Sequence, residues 1–127
     1  MTENEIAREI VDVAYKIHKR LGPGLLESVY ESVMAYELRK RGLRVDPQQG
    51  LPLVYDDLRM DVGFRPDLIV ESKVIVEIKS IEAVAPVHKK TVLTYLKVAD
   101  MRLGLLVNFG TALIKDGITR IVNRLEE

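Results

Sequence analysis

Cysteine is absent from this 127-residue chain. Disulfides, thiolate metal sites and cysteine nucleophiles are therefore excluded. Excess charge is absent too: 19 basic and 19 acidic residues leave a formal net charge of zero. A protein that coats nucleic acid by charge alone is basic, so this balance counts against such a role. It leaves room for an enzyme whose metal ions offset its own carboxylates. No apolar run reaches the roughly 20 residues that span a bilayer. The start, Met1-Thr2-Glu3-Asn4-Glu5, is polar and acidic and unlike a signal peptide. These features predict a cytoplasmic protein without a membrane partner. Tryptophan is missing and no aromatic-rich ladder suggests stacking on single strands. Repeats, linkers and low-complexity tracts are also missing. The length suits one domain over residues 1–127, able to bury a core without staples.

What is present is an alternation of helical and strand periods. Ile6, Ile10, Val13, Ile17 and Leu21 recur at three- and four-residue steps and predict a first helix. Gly22-Pro23-Gly24 ends it. A second helix is expected from about Leu25 to Arg41, with Leu26, Val29, Val33 and Leu38 on its apolar face and Gly42 at its C-terminus. Met34 and Tyr36 lie beside that face and form a candidate homodimer surface, symmetric dimers being the commonest oligomers. The period then shortens. Leu51–Tyr55 and Met60–Phe64 read as strands around a turn at Asp56-Asp57, and Arg65–Val70 and Val74–Lys79 as a hairpin through Glu71-Ser72-Lys73. Pro86 opens a third helix reaching about Asp100. Leu103–Phe109 is almost wholly apolar, as in a strand buried on both faces. Asp116-Gly117 signals a further hairpin between Ala112–Lys115 and Ile118–Val122. The expected fold is α/β, with two N-terminal helices and then a mixed sheet carrying one right-handed crossover helix.

The hairpin carries the chemistry. If Val70 pairs with Val74, Asp67 lies directly opposite Glu77. Alternation puts Glu77 and Lys79 on one face and Val74, Val76 and Ile78 on the other. A slip of one residue would separate the acids. Opposed carboxylates repel by about 4 kcal/mol at ~4 Å with an effective dielectric near 20, so a compensating charge is expected. A hard divalent cation supplies it, since carboxylate oxygens are the ligands magnesium prefers. Lys79 offsets one charge but not both. Spacing alone leaves a second reading open: acids near strand ends are commonly solvated edge residues.

Pro66-Asp67 followed by Glu77-Ile78-Lys79 resembles the signature of the PD-(D/E)XK nuclease superfamily. Gly24-Leu25-Leu26-Glu27-Ser28-Val29-Tyr30 resembles the naming motif of the GxxExxY proteins, a small family within it, and Asn108-Phe109-Gly110 extends the likeness. The resemblance implies that Asp67, Glu77 and the main-chain carbonyl of Ile78 hold Mg2+ or Mn2+. It implies that Lys79 is the catalytic lysine and that Glu27 completes the site. Tyr30 shares the face of Glu27, with core packing as its alternative role. On the third helix the family pattern has a glutamine one turn before a tyrosine. Here the tyrosine is Tyr95 and the matching position is Thr91, which is shorter. His88 shares that face.

Two functions are compatible with these residues. One is a metal-dependent nuclease acting on DNA or RNA. The other is a catalytically silent nucleic-acid-binding or regulatory module that keeps the nuclease fold. Phosphate contacts are available from Arg39-Lys40-Arg41 with Arg44, and from Lys89-Lys90.

Overall fold

The computed structural model describes residues 1–126. Helix α1 (Glu3–Leu21) begins with a capping box: the Thr2 hydroxyl accepts from Glu5 N–H, and the Glu5 carboxylate accepts from Thr2 N–H. Its buried stripe is Ile6, Ala7, Ile10, Val13, Ala14 and Ile17. Leu21, expected on that stripe, is exposed.

Helix α2 (Glu27–Lys40) starts two residues later than expected; Leu38 is buried and Val33 packs against the core as expected, but the rest of the inward stripe differs. Tyr30, Met34 and Leu38 are fully buried at four-residue steps, while Leu26 is 73% exposed and Val29 37%. The stripe is set by Tyr30, whose large ring occupies the core. Leu26 precedes the first helical turn and lies outside the contact. Met34 is thus interior and unavailable to a dimer surface. Tyr36 does lie outside, with the Lys40 ammonium 5.1 Å from its ring centre.

A five-stranded mixed sheet follows in the order β1 (Val45–Pro47), β4 (Leu68–Val70), β5 (Val74–Lys79), β6 (Leu103–Asn108), β7 (Ile118–Val122). β5 and β6 are parallel and joined by α3 (Pro86–Ala99); the other pairings are antiparallel. β2 (Leu51–Tyr55) and β3 (Leu58–Phe64) form a separate hairpin. The sheet separates two apolar layers. Val74, Val76 and Ile78 pack with α1 and α2 residues on one side, and Ile75 packs with Val92 and Leu96 of α3 on the other. Gly104 lets α3 come close to β6, since a Cβ there would lie 2.7 Å from a Val92 methyl.

Two local expectations differ from the fold. β1 has no counterpart in the sequence reading: three residues ending in proline carry too little periodicity to register as a strand. The expected strand over Ala112–Lys115 is instead a loop and a 3-10 turn over Ile114–Gly117. The Thr111 hydroxyl donates its one hydrogen to the Leu113 carbonyl at 2.8 Å, with the Asn108 carbonyl 3.2 Å away as the other acceptor in reach, and the chain curls there before pairing starts. β7 then pairs directly with β6.

The inward face of α2 gives a test. Met34→Ala should cost about 2–5 kcal/mol in chemical denaturation because it leaves a core cavity. Tyr36→Ala should stay within about 0.5 kcal/mol of wild type. Equal losses at the two positions would contradict this placement of the helix.

Candidate metal centre

The register of the central hairpin decides where the acids go. Val70 pairs with Val74, Ile69 with Ile75 and Leu68 with Val76. Continuing that ladder by one residue sets Asp67 across from Glu77. The two are bonded reciprocally through the main chain. Asp67 Oδ2 accepts from Ile78 N–H at 2.8 Å, and Glu77 Oε1 accepts from Asp67 N–H at 2.8 Å. Each strand thus uses its acid to satisfy a backbone donor of the other. Burial, and next the neighbouring Asp67 charge, push the Glu77 carboxyl up to about 7, against opposing pulls from the Asp67 N–H and Lys79.

Lys79 is two residues beyond Glu77 on the same face and half-buried. Its ammonium makes no hydrogen bond or ion pair among the described residues, while its carbonyl accepts from Phe109 N–H at 2.8 Å. Tyr95 approaches from α3, packed on Phe64 with ring centres 4.8 Å apart. Burial raises its phenol pKa, and the charges of Glu77 and Asp67 raise it further, which places the ring in the field of both acids. The other two α3 candidates are occupied locally. The Thr91 hydroxyl donates to the Val87 carbonyl at 2.9 Å, and His88 Nδ1 accepts from Ala85 N–H at 3.0 Å, capping the helix.

Tyr30 is a structural clamp. Its ring stacks on Phe109 at 4.3 Å, nearly parallel. Its hydroxyl donates to the Gly22 carbonyl at 2.5 Å and accepts from Leu25 N–H at 3.2 Å. It thereby fixes the turn in which Gly22 and Gly24 take positive φ. Glu27 opens α2 beside this turn and is exposed, in a cleft shared with Gly24, Ser28 and Ser80. No hydrogen bond ties it to the acid pair among the described residues.

A different α2 acid reaches the pair. Gln48 Nε2 donates to Glu31 Oε1 at 2.6 Å and to Asp67 Oδ1 at 3.2 Å. Glu31 was legible in principle, since it is four residues after Glu27 and shares its helix face. Gln48 sits in an irregular loop and carried no sequence signal.

The segment after Lys79 is fixed by Asn108, which is fully buried. Its side chain accepts from Ile81 N–H and Gly110 N–H, both at 3.0 Å, and donates to the Ile81 carbonyl at 2.9 Å. Gly110 is required by space: a Cβ there would lie 2.1 Å from the Ile81 carbonyl oxygen. His18, which had no evident partner in the sequence, places Nε2 2.9 Å from the Thr111 carbonyl.

The sequence model of the PD-(D/E)XK nuclease superfamily matches residues 4–121. The chain belongs to that superfamily. No curated protein and no solved structure gives a match. The α/β architecture, with helices on both faces of a mixed sheet, agrees with the superfamily fold.

Divalent metals are typical of PD-(D/E)XK nucleases, and the donors present suit one. Among the described residues, no group of three or more His, Cys, Asp or Glu side chains converges as a metal cage. Two carboxyl groups side by side nevertheless present hard oxygen donors, and the burial and Asp67 charge that push Glu77 up to about 7 disfavour its ionised form until a cation offsets them. Magnesium is commonly held by one or two carboxylates while keeping several waters, so a full protein cage is not needed.

The raised Glu77 carboxyl predicts a pH dependence in chelator-treated protein. The folded state holds this proton more tightly than the unfolded chain. Stability should therefore be highest below the unfolded value of about 4.5 for this group alone, and fall as pH rises through about 7. Glu77→Gln should remove that part of the slope and be more stable than wild type at pH 8. Denaturant melts between pH 5 and pH 8 check this. An unchanged slope in the variant would exclude Glu77 as its source.

Proposed function

We propose that this chain is a metal-dependent nuclease of the GxxExxY branch of the superfamily, hydrolysing phosphodiester bonds in DNA or RNA. The observation that carries the reading is the reciprocally bonded Asp67–Glu77 pair with Lys79 on the same strand face. Asp67, Glu77 and the Ile78 carbonyl are the groups that would hold Mg2+ or Mn2+. When bound, such an ion lowers the pKa of its water and polarises a phosphoryl oxygen.

The remaining roles belong to the chain itself. Lys79 carries an ammonium with no protein partner among the described residues, available to offset charge on the phosphate or to orient the attacking water. Tyr95 presents a protonated phenol, a hydrogen-bond donor, near both acids. Glu27, in the cleft beside Ser80, the residue after Lys79, is the acid the family pattern has completing the site.

Two basic groups were candidates for phosphate contacts, and they differ in their present partners. Arg41 is paired with Glu9 at 2.8 Å and Asp12 at 2.7 Å, Arg39 donates to the Val45 carbonyl, and Arg44 pairs with Asp46. Lys89 and Lys90 have no ion pair among the described residues and lie on the helix that carries Tyr95. The α3 lysines are therefore the favoured phosphate contacts.

The test combines binding and turnover. Magnesium or manganese at 100 times its Kd should stabilise the wild type by about 2.7 kcal/mol. Asp67→Ala and Glu77→Ala should abolish that gain. Lys79→Ala should retain it yet lose cleavage, by roughly 10²-fold or more, on a panel of DNA and RNA substrates. If metal binds but wild type and Lys79→Ala are equally inert on every substrate, the silent binding or regulatory module replaces the nuclease reading.

A further inference from the structure

Gln48 lies in the loop between β1 and β2 and touches Asp67 twice. Its backbone N–H donates to the Asp67 carbonyl at 2.9 Å. Its side-chain nitrogen bonds both Glu31 Oε1 and Asp67 Oδ1. A primary amide has two N–H donors, so one group satisfies both acceptors at once. Its backbone is held in the left-handed region at φ 51°. That conformation is uncommon for a residue other than glycine, asparagine or aspartate. It persists when surrounding contacts over-determine it, and here those contacts converge on Asp67.

The arrangement has an electrostatic logic. Two carboxylates drawn toward one point repel each other, and the positive end of an amide dipole lies between them. Glu31 is half-buried, and both burial and the Asp67 charge disfavour its ionised form, while the Gln48 bond favours it. A cation between the same oxygens would offset the same repulsion more strongly, because it brings a full charge where the amide brings a partial one.

We infer that Gln48 is a positioning residue that ties Glu31 to Asp67 through its side-chain amide, brings Glu31 into the acidic site, and competes with a divalent cation for the space between the two carboxylates. The last clause rests on the metal-dependent reading above; the tie itself does not. Glu31, rather than the neighbouring Glu27, is then the α2 acid coupled to the pair.

The test uses the full chain, first treated with chelator. A double-mutant cycle of Gln48→Ala and Glu31→Ala is measured by denaturant unfolding. The combined loss should fall short of the sum of the single losses, since either substitution breaks the same link. Additive losses would overturn the tie. Gln48→Asn guards against a backbone effect, because asparagine tolerates the left-handed conformation while its shorter side chain gives up the bridge. It should show the same non-additivity with Glu31→Ala, and additive behaviour would again overturn the tie.

Magnesium titrations followed by melting temperature then test the competition. Gln48→Ala and Gln48→Asn should melt lower than wild type without metal, respond more strongly to magnesium, and reach half-response at severalfold lower concentration. Gln48→Lys places a permanent cation at the amide position. It should melt higher than Gln48→Ala without metal and lose most of the magnesium response. A purely structural Gln48 would instead weaken the response in all three variants, and that result would overturn the competition. A wild type with no magnesium response overturns the metal reading and the competition together, while the tie is still decided by the cycle.

Discussion

The cross-strand register between Val70 and Val74 is the constraint on which the site depends. Side chains alternate with a period of two, so this pairing does two things at once. It sends Val74, Val76 and Ile78 into the layer beneath α1 and α2, and it turns Glu77 and Lys79 toward α3. The apolar layer enforces the polar arrangement. A slip of one residue would bury Glu77 and Lys79 among aliphatic side chains, and burying unpaired charges costs far more than the repulsion between Asp67 and Glu77. The like-charge contact is tolerated because the alternative is worse. Main-chain N–H groups donated to both carboxylates soften it further.

The short motifs at the two ends of the chain meet at Tyr30 and Phe109. The stacked rings join the turn before α2 to the end of β6. From the tyrosine side, the hydroxyl holds Gly22 and Leu25; from the phenylalanine side, the N–H holds the Lys79 carbonyl. Asn108 and Gly110 then fix Ile81, two residues past Lys79. The lysine is therefore positioned from both directions by buried groups that do not touch the acids. The tyrosine of the first motif and all three residues of the second are explained by packing and hydrogen bonding alone. Glu27 is exposed and makes no side-chain hydrogen bond or ion pair among the described residues.

What was legible in the sequence follows from the kind of signal each feature carries. Strand alternation at the end of the hairpin is legible, because Val76 and Ile78 turn into one layer while Glu77 and Lys79 are only half-buried on the other; nearer the turn, Ile69 and Ile75 continue the acid face as apolar residues packed on α3. The crossover helix and β6 were equally plain, the latter through its unbroken apolar run. The inner face of α2 was read in part: Leu38 is buried and Val33 packs against the core, but Leu26 and Val29 fit a helical stripe as well as Tyr30 and Met34 do. Only the ring of Tyr30, seated on Phe109, breaks that tie, and the contact spans 79 residues of sequence. The strand expected over Ala112–Lys115 failed for a related reason: the Thr111 hydroxyl offers its own backbone bond and competes with the ladder. Gln48 was invisible because nothing in a loop of polar residues announces which side chain will reach an acid two elements away.

The number of anionic donors at the centre limits the chemistry it can support. A large, flexible cation such as calcium draws six to eight oxygens and is favoured by several carboxylates and carbonyls in one loop. Here two strands contribute one carboxylate each, both with an oxygen already bonded to backbone. Glu31 adds a third only through an amide, from a helix whose position is set by the Tyr30 stack. Such a centre is open and short of ligands, so a small ion that keeps most of its water suits it better than one that must be caged. Structural zinc sites, by contrast, close their coordination shell with protein groups, and two strand carboxylates do not supply such a shell.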